Sequence, residues 1–193
     1  MEGLSYTAPM KTERPPSQMD VKTNAQEVRV MAGADLLSGY ARLLPLLHQP
    51  DDGLALHWKA GWRTQTGAHA GLEPRLELSL KAVLPLVCQR CMEGMEHAVD
   101  ETHVYRFVAT EEQALDEDDA SEEDLLVLSR EFNLRELIED ELVMALPLVP
   151  KHVQCPKELH WSAVDAAFDP ESEKKKQPFA NLQALMNTQL PKG

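Results

Sequence analysis

Leu72-Glu73-Pro74-Arg75-Leu76-Glu77-Leu78-Ser79-Leu80-Lys81-Ala82-Val83-Leu84-Pro85-Leu86-Val87-Cys88 is the stretch from which the rest of the chain is read. Leu72, Leu76, Leu78, Leu80, Ala82, Leu84, Leu86 and Cys88 all fall on even positions, with Glu73, Arg75, Glu77, Ser79 and Lys81 between them. Successive strand side chains point to opposite faces, so this period of two predicts one long strand with a buried and a wet face. From Val83 onward both faces are apolar. Pro85 has no amide to give to a ladder and requires an edge or a bulge.

The same alternation precedes it. Leu54, Leu56, Trp58, Ala60 and Trp62 alternate with Ala55, His57, Lys59, Gly61 and Arg63, and a Gly-rich break from Thr66 to Gly71 separates the two runs. Downstream, Cys88-Gln89-Arg90-Cys91 interrupts the strand and Glu93-Gly94 reads as a reversal. A third strand is predicted from Met95 to Val108, ending in the β-favouring Val104-Tyr105-Arg106-Phe107-Val108. Half-wet strands of this kind belong to antiparallel sheets packed on one side. Leu125 to Leu128 reads as a short returning strand.

Two helices are predicted around these strands. Near Asp35 to Leu44, Asp35 can cap, and Leu36, Leu37, Tyr40, Leu43 and Leu44 share a face until Pro45, Pro50 and Asp51-Asp52-Gly53 end it. Asn133 with Glu136 three residues on forms a capping-box pattern, followed by the apolar stripe Leu134, Leu137, Ile138, Leu142, Ala145 and Leu146. Pro147 stops that helix, because the residue before a proline is pushed out of the α region. The fold expected is α+β: a curved, mostly antiparallel sheet or partial β-barrel covered by one main helix, with short helices near both ends. Residues 1–25 are expected as a flexible tail, 26–170 as a single domain with a disordered acidic loop at 110–124, and 171–193 as a tail. In that last tail Phe179, Leu182, Leu185 and Met186 line a short docking helix.

Charge narrows the function classes. The chain of 193 residues has 32 acids against 19 bases, a net of −13, which excludes a small basic protein that coats nucleic acid with its whole surface. Nine acids and no base fall in one run from Glu111 to Asp124, so the remainder carries only −4 and a local contact with RNA stays open. The run reads as a solvated loop or as a docking strip for a basic partner. Aromatics make up 5% of the chain, too few for a surface of base-stacking platforms. No stretch of 18 apolar residues is present, so no membrane span is expected. Three cysteines do not make a disulfide framework, and a reducing, cytoplasmic setting is the simplest expectation.

Cys88-x-x-Cys91 is the main chemical signal. Two thiolates at this spacing can grip one metal from a tight turn, and zinc takes four ligands. His152-x-x-Cys155 has the same spacing sixty residues later and completes a candidate Cys₃His set of Cys88, Cys91, His152 and Cys155. Two other readings stand beside it: reduced cysteines filling core space, and a redox pair, which the missing βαβ pattern disfavours. Arg90 reads as a cation at a strand turn, able to meet a phosphate or a carboxylate. Arg63, Arg75, Lys81 and Arg90 are candidates for a basic patch on the wet strand face. Glu139, Asp140 and Glu141 are candidates for partner contact on the helix. No GxSxG, P-loop, GxGxxG or HExxH occurs and nothing assembles an active site, so no enzyme is expected.

Three blocks in order closely resemble one family. They are Leu86-Val87-Cys88-Gln89-Arg90-Cys91, then Leu137 to Pro150 (LIEDELVMALPLVP) with His152, then Pro178-Phe179-Ala180 with Leu182 and Leu185. Together they resemble the YceD proteins, the large ribosomal RNA subunit accumulation proteins, from about residue 25 to 188. The resemblance implies a bacterial cytoplasmic factor in synthesis, processing or stability of the large-subunit (23S) ribosomal RNA, and carries over no catalytic residues. Some relatives have extra cysteines after the Pro-x-x-Pro segment, where this chain has only His152 and Cys155. Two functions follow as expectations. One is a ribosome-biogenesis factor working near ribosomal RNA through assembly proteins or a basic ribosomal protein. The other is a direct RNA-binding module with a zinc-supported strand turn.

Overall fold

A computed structural model describes residues 13–50, 52–66 and 71–157. The expected docking helix and the tail at 171–193 lie outside these residues, as do residues 1–12 and the end of the expected 26–170 domain. The elements in chain order are α1 (Val21–Gln26), β1 (Val30–Leu36), β2 (Ala55–Thr66), β3 (Leu72–Val87), β4 (Gly94–Val108), α2 (Glu111–Asp118), β5 (Asp124–Val127) and α3 (Leu134–Met144). The fold is α+β. Its five strands form one open sheet in the order β1-β2-β3-β4-β5, antiparallel except for the parallel β4–β5 pair, and not closed into a barrel.

The parity of the sequence becomes the two faces of this sheet. Every even-numbered residue of β3 from Pro74 to Leu86 is buried, and no odd-numbered one is. In β2 the buried positions are Leu56, Trp58, Ala60 and Trp62. Register carries the pattern across: Trp62 pairs with Leu76 and Leu76 with Tyr105, while Leu80 pairs with Trp58. Leu134, Ile138 and Leu142 of α3 close this inner face, together with Val21 of α1 and Leu37, Tyr40 and Leu43 of the β1–β2 connection. Trp62 stacks on Phe107 with centroids 5.7 Å apart, and Phe132 meets both rings edge-on at 5.8 and 5.4 Å. Asn133 caps α3 as its sequence predicts, its Oδ1 accepting from the Glu136 amide at 3.1 Å. Pro85 sits at a local edge: β2 pairing ends at His57–Lys81, so beyond it β3 has only β4 beside it.

Three expectations need correction. The helix predicted near Asp35 to Leu44 is instead the end of β1 followed by single 3₁₀ turns at Leu37–Gly39 and Leu44–Leu46. Val30–Leu36 gains a full ladder against β2, which a free helix cannot match, and the two turns still deliver Leu37, Tyr40 and Leu43 inward. Asp35 is no cap but a buried acid, 3.3 Å from Arg135 of α3 and 3.7 Å from Arg14. The tail expected to end at residue 25 is structured from Met19: Met19 pairs with Phe132, and Val21 and Ala25 are fully buried. The acidic run expected as a disordered loop at 110–124 folds into α2 and the start of β5.

α1 ends in a Schellman motif, with the Val28 amide donating to the Ala25 carbonyl and the Arg29 amide to the Asn24 carbonyl. Val28 therefore takes the left-handed conformation, at φ 50°, that glycine normally supplies. The side chain is 61% exposed, so it returns little for that strain. Val28→Gly is expected to raise unfolding free energy by about 1 kcal/mol, read from the urea midpoint at unchanged slope.

Candidate metal centre

The turn between β3 and β4 builds the first half. The Cys88 amide donates to the Glu93 carbonyl at 2.9 Å and the Met92 amide to the Cys88 carbonyl at 2.8 Å. Met92 closes the curl at φ 61°. Chain amides of a turn like this point at the sulfurs. The His152 amide lies 3.4 Å from Cys88 Sγ, and the Arg90 and Cys91 amides also donate to it.

The second half arrives from α3. His97 on the inner face of β4 lies with Nε2 3.1 Å from the carbonyl of Ala145, the C-cap of α3, and pins the helix end beside the start of β4. Pro147 to Pro150 then lead to the turn, where the Gln89 amide donates to the Pro150 carbonyl at 2.8 Å. This is how the sequence gap closes: a helix laid across the sheet returns the chain to the strand end where Cys88 stands.

The four side chains named in the sequence are thereby brought together. Their ligand atoms all lie within 4.8 Å of one another, with Cys88 and Cys91 buried and His152 and Cys155 half-buried. Cys88 Sγ stands 3.9 Å from Cys155 Sγ and Cys91 Sγ 3.4 Å from His152 Nδ1. Tetrahedral zinc with sulfur at about 2.3 Å and nitrogen at about 2.0 Å places such pairs roughly 3.8 and 3.5 Å apart, so the donor set fits the metal. His152 Nε2 lies 3.1 Å from the Gly94 carbonyl, which selects the tautomer that leaves Nδ1 open to a metal. Burial opposes ionisation of Cys88, but the amides of His152, Cys91 and Arg90 outweigh it and bring the thiol down to about 5. Burial raises Cys91, and so do the neighbouring sulfurs of Cys155 and Cys88. A divalent cation removes that repulsion.

Arg90 is exposed but reaches back to the centre. Its Nε donates to Cys155 Sγ at 3.0 Å and its Nη2 to the His152 carbonyl at 2.8 Å. Three thiolates around a divalent ion leave one net negative charge, and the Arg90 guanidinium lies where it offsets that charge.

The other candidates are spread over both faces. Arg75 and Lys81 lie on the outer face of β3, Lys81 paired with Asp100 at 2.8 Å and Arg75 paired with Glu123. Glu139 bonds Arg42 through the Arg42 amide at 2.6 Å, Asp140 pairs with the same arginine, and Glu141 lies 3.5 Å from His103. The sequence places His97 in a strand as a structural residue, as found, but does not single out Arg106. Arg106 is buried and paired with Glu117 at 2.6 Å and Glu73 at 3.4 Å. Extending the β3–β4 register from the Glu93-Gly94 reversal places Arg106 opposite Arg75, so that signal was available.

Comparison with known proteins gives one family. The model of "Large ribosomal RNA subunit accumulation protein YceD" matches residues 76–186, which begin on β3 and include all four ligand candidates. A curated protein of that name from Haemophilus influenzae is 37% identical over 103 residues, 52% of this chain and 58% of the relative. The chain therefore spans little more than half the length of that relative. No solved structure matches.

Zinc titrated into the chelator-treated protein is expected to bind at one equivalent and to protect all three thiols from a disulfide reagent. Arg90→Ala should weaken zinc about tenfold while leaving the stoichiometry at one. Full thiol reactivity at saturating zinc refutes the centre.

Proposed function

The chain belongs to the YceD family, and from that premise we propose that it is a non-catalytic factor in the accumulation of large-subunit ribosomal RNA. It acts in synthesis, processing or stability of that RNA, chiefly through protein partners near it. One observation carries the reading. The matched segment, residues 76–186, is the part of the chain that brings Cys88, Cys91, His152 and Cys155 together at one turn. Zinc is the proposed cofactor, and its role is structural, since all four ligand positions are filled by protein and none is open to substrate.

The chemistry around the turn supports a protein rather than an RNA contact there. Met92 is 67% exposed, and Leu148, Val149 and Val153 are also exposed in the loop that returns from α3. Exposed apolar groups on a rigid turn suit a protein partner, whose contact core is depleted in charge. Arg90, the one cation in Cys88–Cys91, is committed to Cys155 and to the His152 carbonyl. The partners proposed for this turn are a ribosome-assembly protein or a basic ribosomal protein, so that the turn itself engages ribosomal RNA indirectly.

Deletion of the gene is expected to lower large-subunit relative to small-subunit ribosomal RNA, read by RNA electrophoresis. The wild-type chain restores the ratio, while Cys88→Ala/Cys91→Ala does not. At about 150 mM salt any shift of naked large-subunit ribosomal RNA by the purified protein is expected to survive Arg90→Ala, since the turn is not the RNA contact. A shift that Arg90→Ala abolishes establishes direct binding through the turn instead.

A further inference from the structure

The outer face of the sheet carries an unusual row. Arg63 of β2 pairs in register with Arg75 of β3, and Arg75 with Arg106 of β4. Like charges directly opposite one another on neighbouring strands are destabilising. The depressed Arg75 guanidinium reflects this: burial contributes most, and Arg106 and Arg63 add to it. Such a row persists only with anions laid on it.

Some of those anions come from the sheet. Glu77 meets Arg63 at 3.2 Å and Glu73 meets Arg106 at 3.4 Å. The others come from the acidic segment 111–124. Glu117 of α2 meets Arg106 at 2.6 Å, and Glu123 pairs with Arg75 and lies 3.8 Å from Arg106. These two are the only acids of the segment that are not exposed. α2 buries no residue at all, and its Leu115 is 72% exposed. The helix is therefore held on the sheet by charge, with no apolar anchor of its own, while β5 beyond it keeps its ladder to Tyr105–Val108.

The arginine row is also incompletely satisfied. Nε of Arg75 is buried and has no hydrogen-bond partner. A guanidinium fork matches the oxygens of a phosphate as well as those of a carboxylate, and a phosphate chain brings more oxygens than two glutamates do.

We propose that Arg63, Arg75 and Arg106 form a binding row for the phosphate backbone of RNA, which the acidic helix α2 and Glu123 occupy in cis and yield to RNA by competition. With α2 seated, the outer face presents Glu111, Glu112, Asp116, Asp118 and Asp119 to solvent and repels a polyanion. With α2 released, Arg75 and Arg106 lose Glu117 and Glu123 and join the already accessible Arg63 on an open face, with Glu77 and Glu73 of the sheet still beside Arg63 and Arg106. The apparent RNA affinity is then the intrinsic affinity reduced by the fraction of molecules with α2 released. The inference goes beyond the family reading and takes from it only the choice of RNA as polyanion.

The test uses the full chain and a fluorescently labelled oligouridine at about 150 mM salt, read by anisotropy. Glu117→Gln/Glu123→Gln is expected to bind about tenfold more tightly than wild type, because weakening the strap raises the competent fraction. Asp118→Asn/Asp119→Asn makes the same change in net charge at exposed positions and is expected to bind within about twofold of wild type. Adding Arg75→Ala to the Gln pair is expected to remove the gain. Equal gains from both pairs, or a gain that survives Arg75→Ala, overturns the proposal. Should the Gln pair unfold, wild-type protein at saturating oligouridine decides by hydrogen exchange. Faster exchange over Glu111–Asp118 supports competition, and unchanged exchange with RNA bound overturns it. Neither overturning result bears on ribosomal RNA accumulation in the cell, which the deletion experiment reads separately.

Discussion

The parity of β3 is the constraint on which the molecule depends. From Pro74 to Leu86 its even side is buried beneath α3 and the β1–β2 connection, and a slip of one residue would turn Leu76, Leu78, Leu80 and Leu84 to water. Fully burying one such side chain contributes about 2 kcal/mol, so exposing these four costs about 8 kcal/mol, comparable to the whole margin by which domains are stable. The register so enforced reaches beyond the core. It sets Cys88 at the strand end nearest the return of α3, and it lines up Arg63, Arg75 and Arg106 on the other face. Both functional features are consequences of one packing decision.

The turn at Cys88 and the loop at His152 solve a problem that the open sheet leaves. Past Lys81, β3 has β4 alone as a strand neighbour, with Pro85 among the residues lacking a second partner. Main-chain bonds from elsewhere supply part of the deficit: the His48 amide donates to the Pro85 carbonyl at 2.8 Å, and the Gln89 amide to Pro150. The four ligand side chains tie the same region to the end of α3. Met92 accepts a left-handed conformation to let Cys88 and Cys91 face one point. Strain at a non-glycine residue is tolerated where the surroundings over-determine it, and here they do.

Strands β2 to β5, α3 with its cap, and the two cysteine-bearing pairs were legible in the residues, because each is set by a local periodicity or spacing. Three features were not. The stretch from Asp35 to Leu44 has the spacing of a helix, yet Val30–Leu36 lies along the edge of β2 and takes the ladder instead. The same buried leucines serve either structure, so periodicity alone does not choose between them. α1 was hidden because six residues with one apolar face are too short to read. The acidic run looked self-repelling because its counter-charges lie outside it: Arg106 on the strand just before it, and Arg75 on β3, which only the register sets beside Arg106.

That last point changes what the net charge means. Of the chain's −13, nine charges sit in the segment 111–124, and two of those nine are spent on arginines of the sheet. A glutamate beside a half-buried guanidinium is not solubilising surface. It is part of the fold, and its removal leaves a buried cation exposed to whatever anion comes next. The remaining acids of the segment stay in water and give the seated helix the sign that turns polyanions away. An acidic protein and a basic RNA-facing row are thus compatible in one chain, because the acid covers the base and is held there by little else.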